Sequence, residues 1–373
     1  MRVLVASDTI EGLSSQQAGE ALASGWPQEQ VVVRPVGEAG AGFLTALADG
    51  AGVAVSATAW GDAVVSTARG PGWAAVQVEG VRSTEPIPYA ATSRPLGDAL
   101  NSLLPELVEE LPEPVELLPE PVELIPEPVE LIPEPVEGPF RVYVDLAGLA
   151  VHDGGAGLLA GLGATASGDL DHGVQGLAGL EELDLDAARR ALSGVELVGV
   201  VPEDQLRAAL VGLRGITSLA GRAAGTPTDD MLATDAALDH FAALAAPDLR
   251  NAAGGGACGG LGFALLALGG RLTTGTEIGL AATTFTGVDL VVTGCSELDF
   301  AARGGGVVKA VVAAAGRALS PCIAIAGRVV IGAREMRTMG IDAAYAVRDA
   351  HPSGADAEAV AATARRVARS WSW

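Results

Sequence analysis

The chain is 373 residues long, 49% hydrophobic but only 4% aromatic, with 50 glycines, so it has room for two ordinary domains whose cores must be mostly Ala, Val and Leu. Its formal net charge of −23 argues against non-specific nucleic-acid binding, which needs a basic surface, and means that any phosphate or organic acid must be drawn in by local cations. No apolar run is long enough to span a bilayer, the first residues lack the basic-then-apolar pattern of a leader, and Cys258, Cys295 and Cys322 show no metal-ligand spacing, so a protein of the reducing cytoplasm, with no membrane partner, is expected.

Residues 2–6 have the pattern of a buried strand and lead into the polar turn Ser7-Asp8-Thr9. Ser14 and Ser15 stand just before a helical stretch, 16–25, where either could cap the helix. A second strand, 31–36, and a glycine-rich turn, 37–42, open onto the apolar run 43–48. This β-α-β order predicts a parallel, doubly wound sheet, in which ligands sit at the carboxyl ends of strands. Asp8, Ser14, Ser15 and Glu38 are then candidates to face a cleft, with capping and turn formation as the alternative for each.

Residues 53–81 alternate apolar and polar and read as strands of a second domain, and 91–103 become helix-like. The unit Leu111-Pro-Glu-Pro-Val-Glu-Leu117 then recurs at Leu118, Ile125 and Ile132, with a degenerate earlier copy at Leu104. Two prolines in each unit exclude a continuous helix, so 104–137 is expected to be an extended, polyproline-like, solvent-exposed insertion. It holds eleven Glu and no Lys or Arg, a strip that would suit a basic protein partner if it is more than a repeat expansion.

After a strand-like run at 140–145, residues 151–163 carry His152, Asp153 and the glycines Gly154, Gly155 and Gly157 ahead of an apolar helical run. Glycines let backbone N–H groups approach a ligand, and a helix N-terminus favours an anion; a tight strand-to-helix turn is the alternative. Residues 177–192 look helical, 195–201 form a strand, and 235–246 form a helix in which His240 reads as a packing or hydrogen-bonding residue rather than a ligand. The densest glycine run, 254–262, includes Gly259 and Gly260 and leads into the apolar 263–268. A strand at 289–293 runs into a loop holding Gly294 and Asp299, followed by a helix at 307–315 and a strand at 322–326. The fold class expected is α/β: a Rossmann-like doubly wound domain formed by both chain ends, 1–50 and 286–373, with a second α/β domain, 51–285, inserted.

Taken in order, these stretches resemble the two-domain bacterial glycerate kinases. Val3-Leu-Val-Ala-Ser-Asp8 through Gly12-Leu-Ser-Ser15 is similar to the family's opening strand and loop, and His152-Asp-Gly-Gly-Ala-Gly157 to its Asn-Asp-Gly-Gly-Ala-Gly. Residues 36–47, Asp235-Ala-Ala-Leu-Asp-His-Phe-Ala242, residues 257–262, Asp289-Leu-Val-Val-Thr-Gly294 and Asp299 complete the resemblance, which covers nearly the whole chain apart from the repeat. It implies ATP- and Mg²⁺-dependent phosphorylation of D-glycerate in a cleft between the domains. The implied catalytic residues are Asp153 and Asp299; the implied substrate or nucleotide-binding residues are Asp8, Ser14, Ser15, Gly154, Gly155, Gly259, Gly260 and Gly294.

The charged positions depart from the family pattern. Its opening-loop Lys is Glu11 here; the Glu and Thr of its second glycine turn are Ala41 and Phe43; the Asn before Asp153 is His152. The Lys of its Gly-Pro-Gln-Lys-Gly loop is Ala224, the Arg of its Thr-Gly-Glu-Gly-Arg loop is Glu297, and a later Lys is Gly306. Phosphoryl transfer relies on cations around the phosphates, so little or no phosphorylation of D-glycerate is expected, and a non-catalytic relative that binds a small molecule or a protein stands beside the divergent kinase as the other expectation. Arg94, Arg222, Arg303 and Lys309 are the candidate replacement cations.

Overall fold

The computed structural model describes residues 1–40, 42–80, 85, 87–108, 139–281 and 283–372. Ala41 and repeat residues 109–137 lie outside them. The elements run β1 (Arg2–Ser7), α1 (Ser15–Ala23), β2 (Gln30–Pro35), α2 (Phe43–Ala51), β3 (Ser56–Trp60), β4 (Ala63–Gly70), β5 (Trp73–Glu79), α3 (Arg94–Val108) and β6 (Phe140–Asp145). There follow α4 (Ala156–Gly161), β7 (Thr165–Ala166), β8 (Leu183–Asp184), α5 (Asp186–Ala191), β9 (Val195–Val200), α6 (Ile216–Ala224), α7 (Thr228–Ala245), α8 (Leu261–Ala267), β10 (Arg271–Thr273) and α9 (Gly275–Ala281). The chain closes with β11 (Leu290–Asp299), α10 (Gly305–Ala318), β12 (Cys322–Val330), α11 (Ala333–Thr338), β13 (Ala343–Ala346) and α12 (Ala357–Ala368).

Both chain ends share one parallel five-stranded sheet, ordered β13-β12-β11-β1-β2. Its inner strands β1, β11 and β12 are buried on both faces over most of their length, so their sequences are largely apolar there and successive residues enter different cores. Val3, Val5, Leu290, Val292, Ile323 and Ile325 face α1 and α12. Ala6, Val291, Ala324 and Ala326 face the other side, with Val307, Val308 and Val311 of α10. This is the doubly wound layer. The inserted chain builds a mixed six-stranded sheet, β10-β9-β6-β5-β4-β3, in which only β3–β4 and β4–β5 are antiparallel. Among the described residues no helix is long and apolar enough to cross a membrane.

Three stretches differ from the sequence-based expectation. Residues 294–299 are not a loop: β11 continues to Asp299 because β12 extends to Val330 and pairs with it in parallel. Residues 177–192 are helical only over α5; Gly179 turns with φ +82° and β8 intervenes. Residues 104–108, the first repeat copy, belong to helix α3, and Leu104 is buried. That copy holds the single Pro105 rather than a proline pair, so less backbone hydrogen bonding is lost there.

The carboxyl ends of the two sheets face each other. The Gly40 N–H donates to Asp145 Oδ2 at 2.8 Å, tying the turn after β2 to the end of β6. Gly275, opening α9, lies so close to Gly37 that a Cβ there would fall 2.3 Å from the Gly37 carbonyl oxygen. Phe43 is buried and packs edge-on to Tyr143 of the second sheet with ring centroids 6.4 Å apart, a contact worth about 1 kcal/mol beyond area burial. Helix α2 therefore serves both layers, with Leu44 and Ala48 against Ala68 and Ala75.

Candidate functional site

Asp8 directly follows β1. Its N–H donates to the Gly294 carbonyl oxygen at 3.1 Å, and its Oδ1 accepts from the Thr9 N–H at 2.7 Å. Burial pushes its carboxyl up to about 6 against the lowering effect of the Thr9 hydrogen bond, and the Glu38 charge adds to the rise. Glu38, in the turn after β2, aims its carboxylate at the start of α10: Oε1 accepts from the Gly306 N–H and, at 3.3 Å, from the Val307 N–H. Those amides are the unsatisfied donors of a helix N-terminus, where negative charge is favoured.

The second sheet contributes Asp145 and the segment after β9. Asp145 is buried at 1% exposure; besides Gly40, its carboxylate accepts from the Ala147 N–H at 3.0 Å, and burial pushes it up to about 6. Cys258 sits beside Gly259 with a left-handed φ of +50° and donates its N–H to Gln205 Oε1 at 2.8 Å. Burial, with the charges of Asp145 and Asp204, pushes its thiol up to about 12, so it stays protonated at neutral pH.

Between the sheets lies a cleft of about 750 Å³ lined by Glu38, Glu203, Asp204, Arg207, Gly306 and Lys309, among others. Lys309 of α10 approaches Glu203 across it at 3.6 Å. Arg207 and Asp204 also line an adjoining cavity of about 800 Å³ on the insert, so the two spaces share a wall.

The sequence-predicted residues divide. Asp8 reaches the edge of the cleft, its Oδ2 3.7 Å from where a Cβ on Gly305 would stand. Asp299 ends β11, with Oδ1 accepting from the Ala302 N–H at 2.7 Å, and its charge and that of Asp8 both reach the Cys295 thiol. Asp153 lies at 0% exposure with its oxygens occupied: Oδ2 accepts from the Ser93 N–H (2.8 Å), the Ser93 hydroxyl (2.7 Å) and the Gly157 N–H (3.2 Å), and Oδ1 from the Gly155 N–H (2.9 Å). This carboxylate organises the turn into α4, and Asp153 does not line the two cavities described above.

The two glycine runs meet each other. The Gly154 N–H donates to the Gly259 carbonyl oxygen at 3.2 Å, and a Cβ on Gly260 would stand 2.4 Å from the Gly154 Cα. A Cβ on Gly155 would fall 2.3 Å from the Ala264 Cβ. Their missing side chains allow backbone-to-backbone packing; of the four, only Gly259 also lines the insert cavity. Gly294 lies inside β11, where a Cβ would meet the Ser7 hydroxyl at 2.8 Å. Ser14 and Gln17 form a reciprocal capping box on α1, and Ser15 is buried in its first turn. His152 is buried, faces the Thr217 hydroxyl at 2.9 Å and is pushed down to about 4 by burial.

The acidic departures do not stand as open negative charges. Arg348 grips Glu11 at two points, Nε to Oε1 at 2.6 Å and Nη2 to Oε2 at 2.8 Å, and the Ala355 N–H donates to Oε2 at 3.1 Å. Glu297 and Arg328 are register partners on β11 and β12 and pair at 3.3 Å. Of the candidate cations, Lys309 lines the cleft, Arg94 pairs with Asp98 and Asp171, and Arg222 donates to the carbonyl oxygens of Ser218 and Leu213. Arg303 is exposed in the turn before α10 with φ +55°. Sequence reading missed Arg207, Glu203, Asp204 and Asp145. Asp145, Glu203 and Asp204 stand at or just past the carboxyl ends of predicted strands, the rule that singled out Asp8 and Glu38, whereas Arg207 lies beyond a helical turn at Glu203–Gln205.

A sequence model of the glycerate kinase family matches residues 130–372. A glycerate kinase of Bacillus cereus is 31% identical over 256 residues, covering 63% of this chain and 66% of its own. A glycerate 2-kinase of Escherichia coli is 28% identical over 93% of this chain and 90% of its own, and an uncharacterized Mycobacterium bovis protein is 30% identical over 94% and 84%. A Salmonella typhimurium crystal structure described as a glycerate kinase 2 shares the fold, with a TM-score of 0.73, 24% identity, and coverage of 100% of this chain and 98% of that one.

Proposed function

The chain belongs to the glycerate kinase family, and from that premise we propose that it transfers a phosphoryl group from ATP to a small hydroxy acid of the D-glycerate type in the cleft between its sheets. The observation that carries this reading is the meeting of Asp8 with a cleft walled by Arg207 and Lys309. A carboxylate poised near 6 takes a proton effectively at neutral pH. In the step, the acid's hydroxyl loses its proton to Asp8 and its oxygen bonds to the γ-phosphorus as the bond to the β-phosphate oxygen breaks, releasing ADP. Arg207 and Lys309 oppose the charge on the transferring group. Among the described residues no three His, Cys, Asp or Glu side chains form a metal cluster. A Mg²⁺ ion that keeps most of its waters and rides on the nucleotide phosphates needs only one or two carboxylates, which Glu203 and Asp204 would supply.

The test is ADP release from ATP and D-glycerate between pH 5 and 8. Turnover should rise with pH through about 6 as Asp8 ionises, and Asp8→Asn should lower kcat by about 10²–10⁴-fold. Absence of turnover across the range would sink the reading. The second reading, a relative that binds without transferring, is favoured by Glu38, whose carboxylate already occupies the α10 amides; it requires ligand binding by calorimetry with no ADP formed.

A further inference from the structure

The cavity of about 800 Å³ on the insert differs in character from the cleft it adjoins. Its apolar lining includes Val151, Ile216 and Leu219, and Leu219 stands 58% exposed on α6. Arg207 and Arg214 line the same cavity, as do Glu85 and Asp204, and neither guanidinium is engaged by those carboxylates or makes a hydrogen bond or ion pair with any other described residue. In a chain carrying −23, two such guanidinium groups on one concavity are notable, since the other arginines discussed above, apart from Arg303, all have partners. A guanidinium fork matches a carboxylate in two-point geometry. The space far exceeds a three-carbon acid, which would leave Leu219 and Ile216 uncovered.

We propose that this cavity holds the acceptor acid, with its carboxylate on Arg214 and Arg207 and an apolar body against Val151, Ile216 and Leu219, so that the preferred substrates are 2-hydroxy acids larger and more apolar than glycerate. The proposal rests on the kinase reading for its chemistry only; binding is tested without turnover. Arg207, on the shared wall, places the acid's hydroxyl end beside the cleft where Asp8 and Lys309 stand.

Calorimetry with phenyllactate, its neutral amide, D-glycerate and ADP as separate probes tests this. Phenyllactate should bind about tenfold tighter than D-glycerate, the amide about tenfold weaker than phenyllactate, and Arg214→Ala should weaken phenyllactate about tenfold, as loss of a charge-assisted pair implies. Arg214→Lys should recover only part of the loss, and Leu219→Ala should weaken phenyllactate more than D-glycerate. Thermal melts confirm that each variant is folded. If D-glycerate binds as tightly as phenyllactate, or if ADP rather than phenyllactate loses affinity in Arg214→Ala, the assignment is overturned. Arg214-dependent phenyllactate binding without ADP release in the presence of ATP would leave the cavity assignment standing and remove the kinase reading.

Discussion

Glu11 and Arg348 stand 337 positions apart in sequence and form a two-point ion pair, with the Ala355 N–H as a third donor to the same carboxylate. The Arg348 hydrogen bonds hold the Glu11 carboxyl below its ordinary value. A depressed folded value means that the pair stabilises above the ordinary carboxylate range and that this is lost as pH falls through the folded value. Because Arg348 is largely exposed, the effect of Arg348→Ala should be small, a drop of about 1–3 °C in melting temperature at pH 7 that shrinks toward pH 3. Glu11→Lys should be worse than Glu11→Ala, because it sets a lysine against Arg348. A Glu11→Lys variant as stable as Glu11→Ala would show that the pair is mere surface coincidence.

Gly260 and Gly154 touch backbone to backbone, and Gly260 also has φ +96°. Gly260→Ala should therefore cost about 2–4 kcal/mol, from left-handed strain plus overpacking. Gly225 supplies the comparison: its φ is +71°, but nothing lies within 4 Å of a Cβ there. Gly225→Ala should cost only about 1 kcal/mol, the strain alone. Urea unfolding of both variants measures the difference. Equal losses would mean that the Gly154–Gly260 contact yields easily.

Much of the doubly wound layer was legible because buried parallel strands announce themselves: Val3 and Val5 enter one core, Ala6 the other, and the run reads as continuously apolar. The site was less legible. Asp153 looks like a cleft residue until Ser93, sixty positions earlier, encloses it. Glu11 and Glu297 look like repulsive charges until Arg348 and Arg328 are placed beside them. Such long-range pairs leave no local period in the sequence. Glu203 and Asp204 are different, because the strand-end rule reaches them just past β9, and only its use on the N-terminal strands left them out.

Asp145 joins the two sheets through Gly40, and its carboxyl is pushed up to about 6 by burial. The folded chain then holds the proton more tightly than the unfolded one. Stability from this source is complete below about pH 4 and is lost as pH rises through 6, an effect of about 2–3 kcal/mol. Melting temperatures at pH 5 and pH 7 should differ less in Asp145→Asn than in the parent chain; Asp8 contributes a similar limb, so the comparison between the two proteins carries the information. Identical pH dependence in both would remove Asp145 from the linkage.

Glu38 occupies the amides at the start of α10, with Lys309 one turn further along the same helix and facing the same cleft. On the proposed kinase reading, an incoming phosphate would share that end of the helix with a carboxylate. Repulsion between the two would then lower nucleotide affinity, whereas the helix gains a cap worth about 1 kcal/mol. Glu38→Gln keeps the acceptor oxygen and the shape but removes the charge. It should bind ADP about three- to tenfold tighter by calorimetry, while lowering the melting temperature slightly. Glu38→Ala should lose more stability than Glu38→Gln, because the Gly306 and Val307 amides then have no side-chain partner. If Glu38→Gln binds ADP no better than the parent chain, phosphate does not approach α10, and the nucleotide must lie on the side of the cleft formed by Glu203, Asp204 and Arg207.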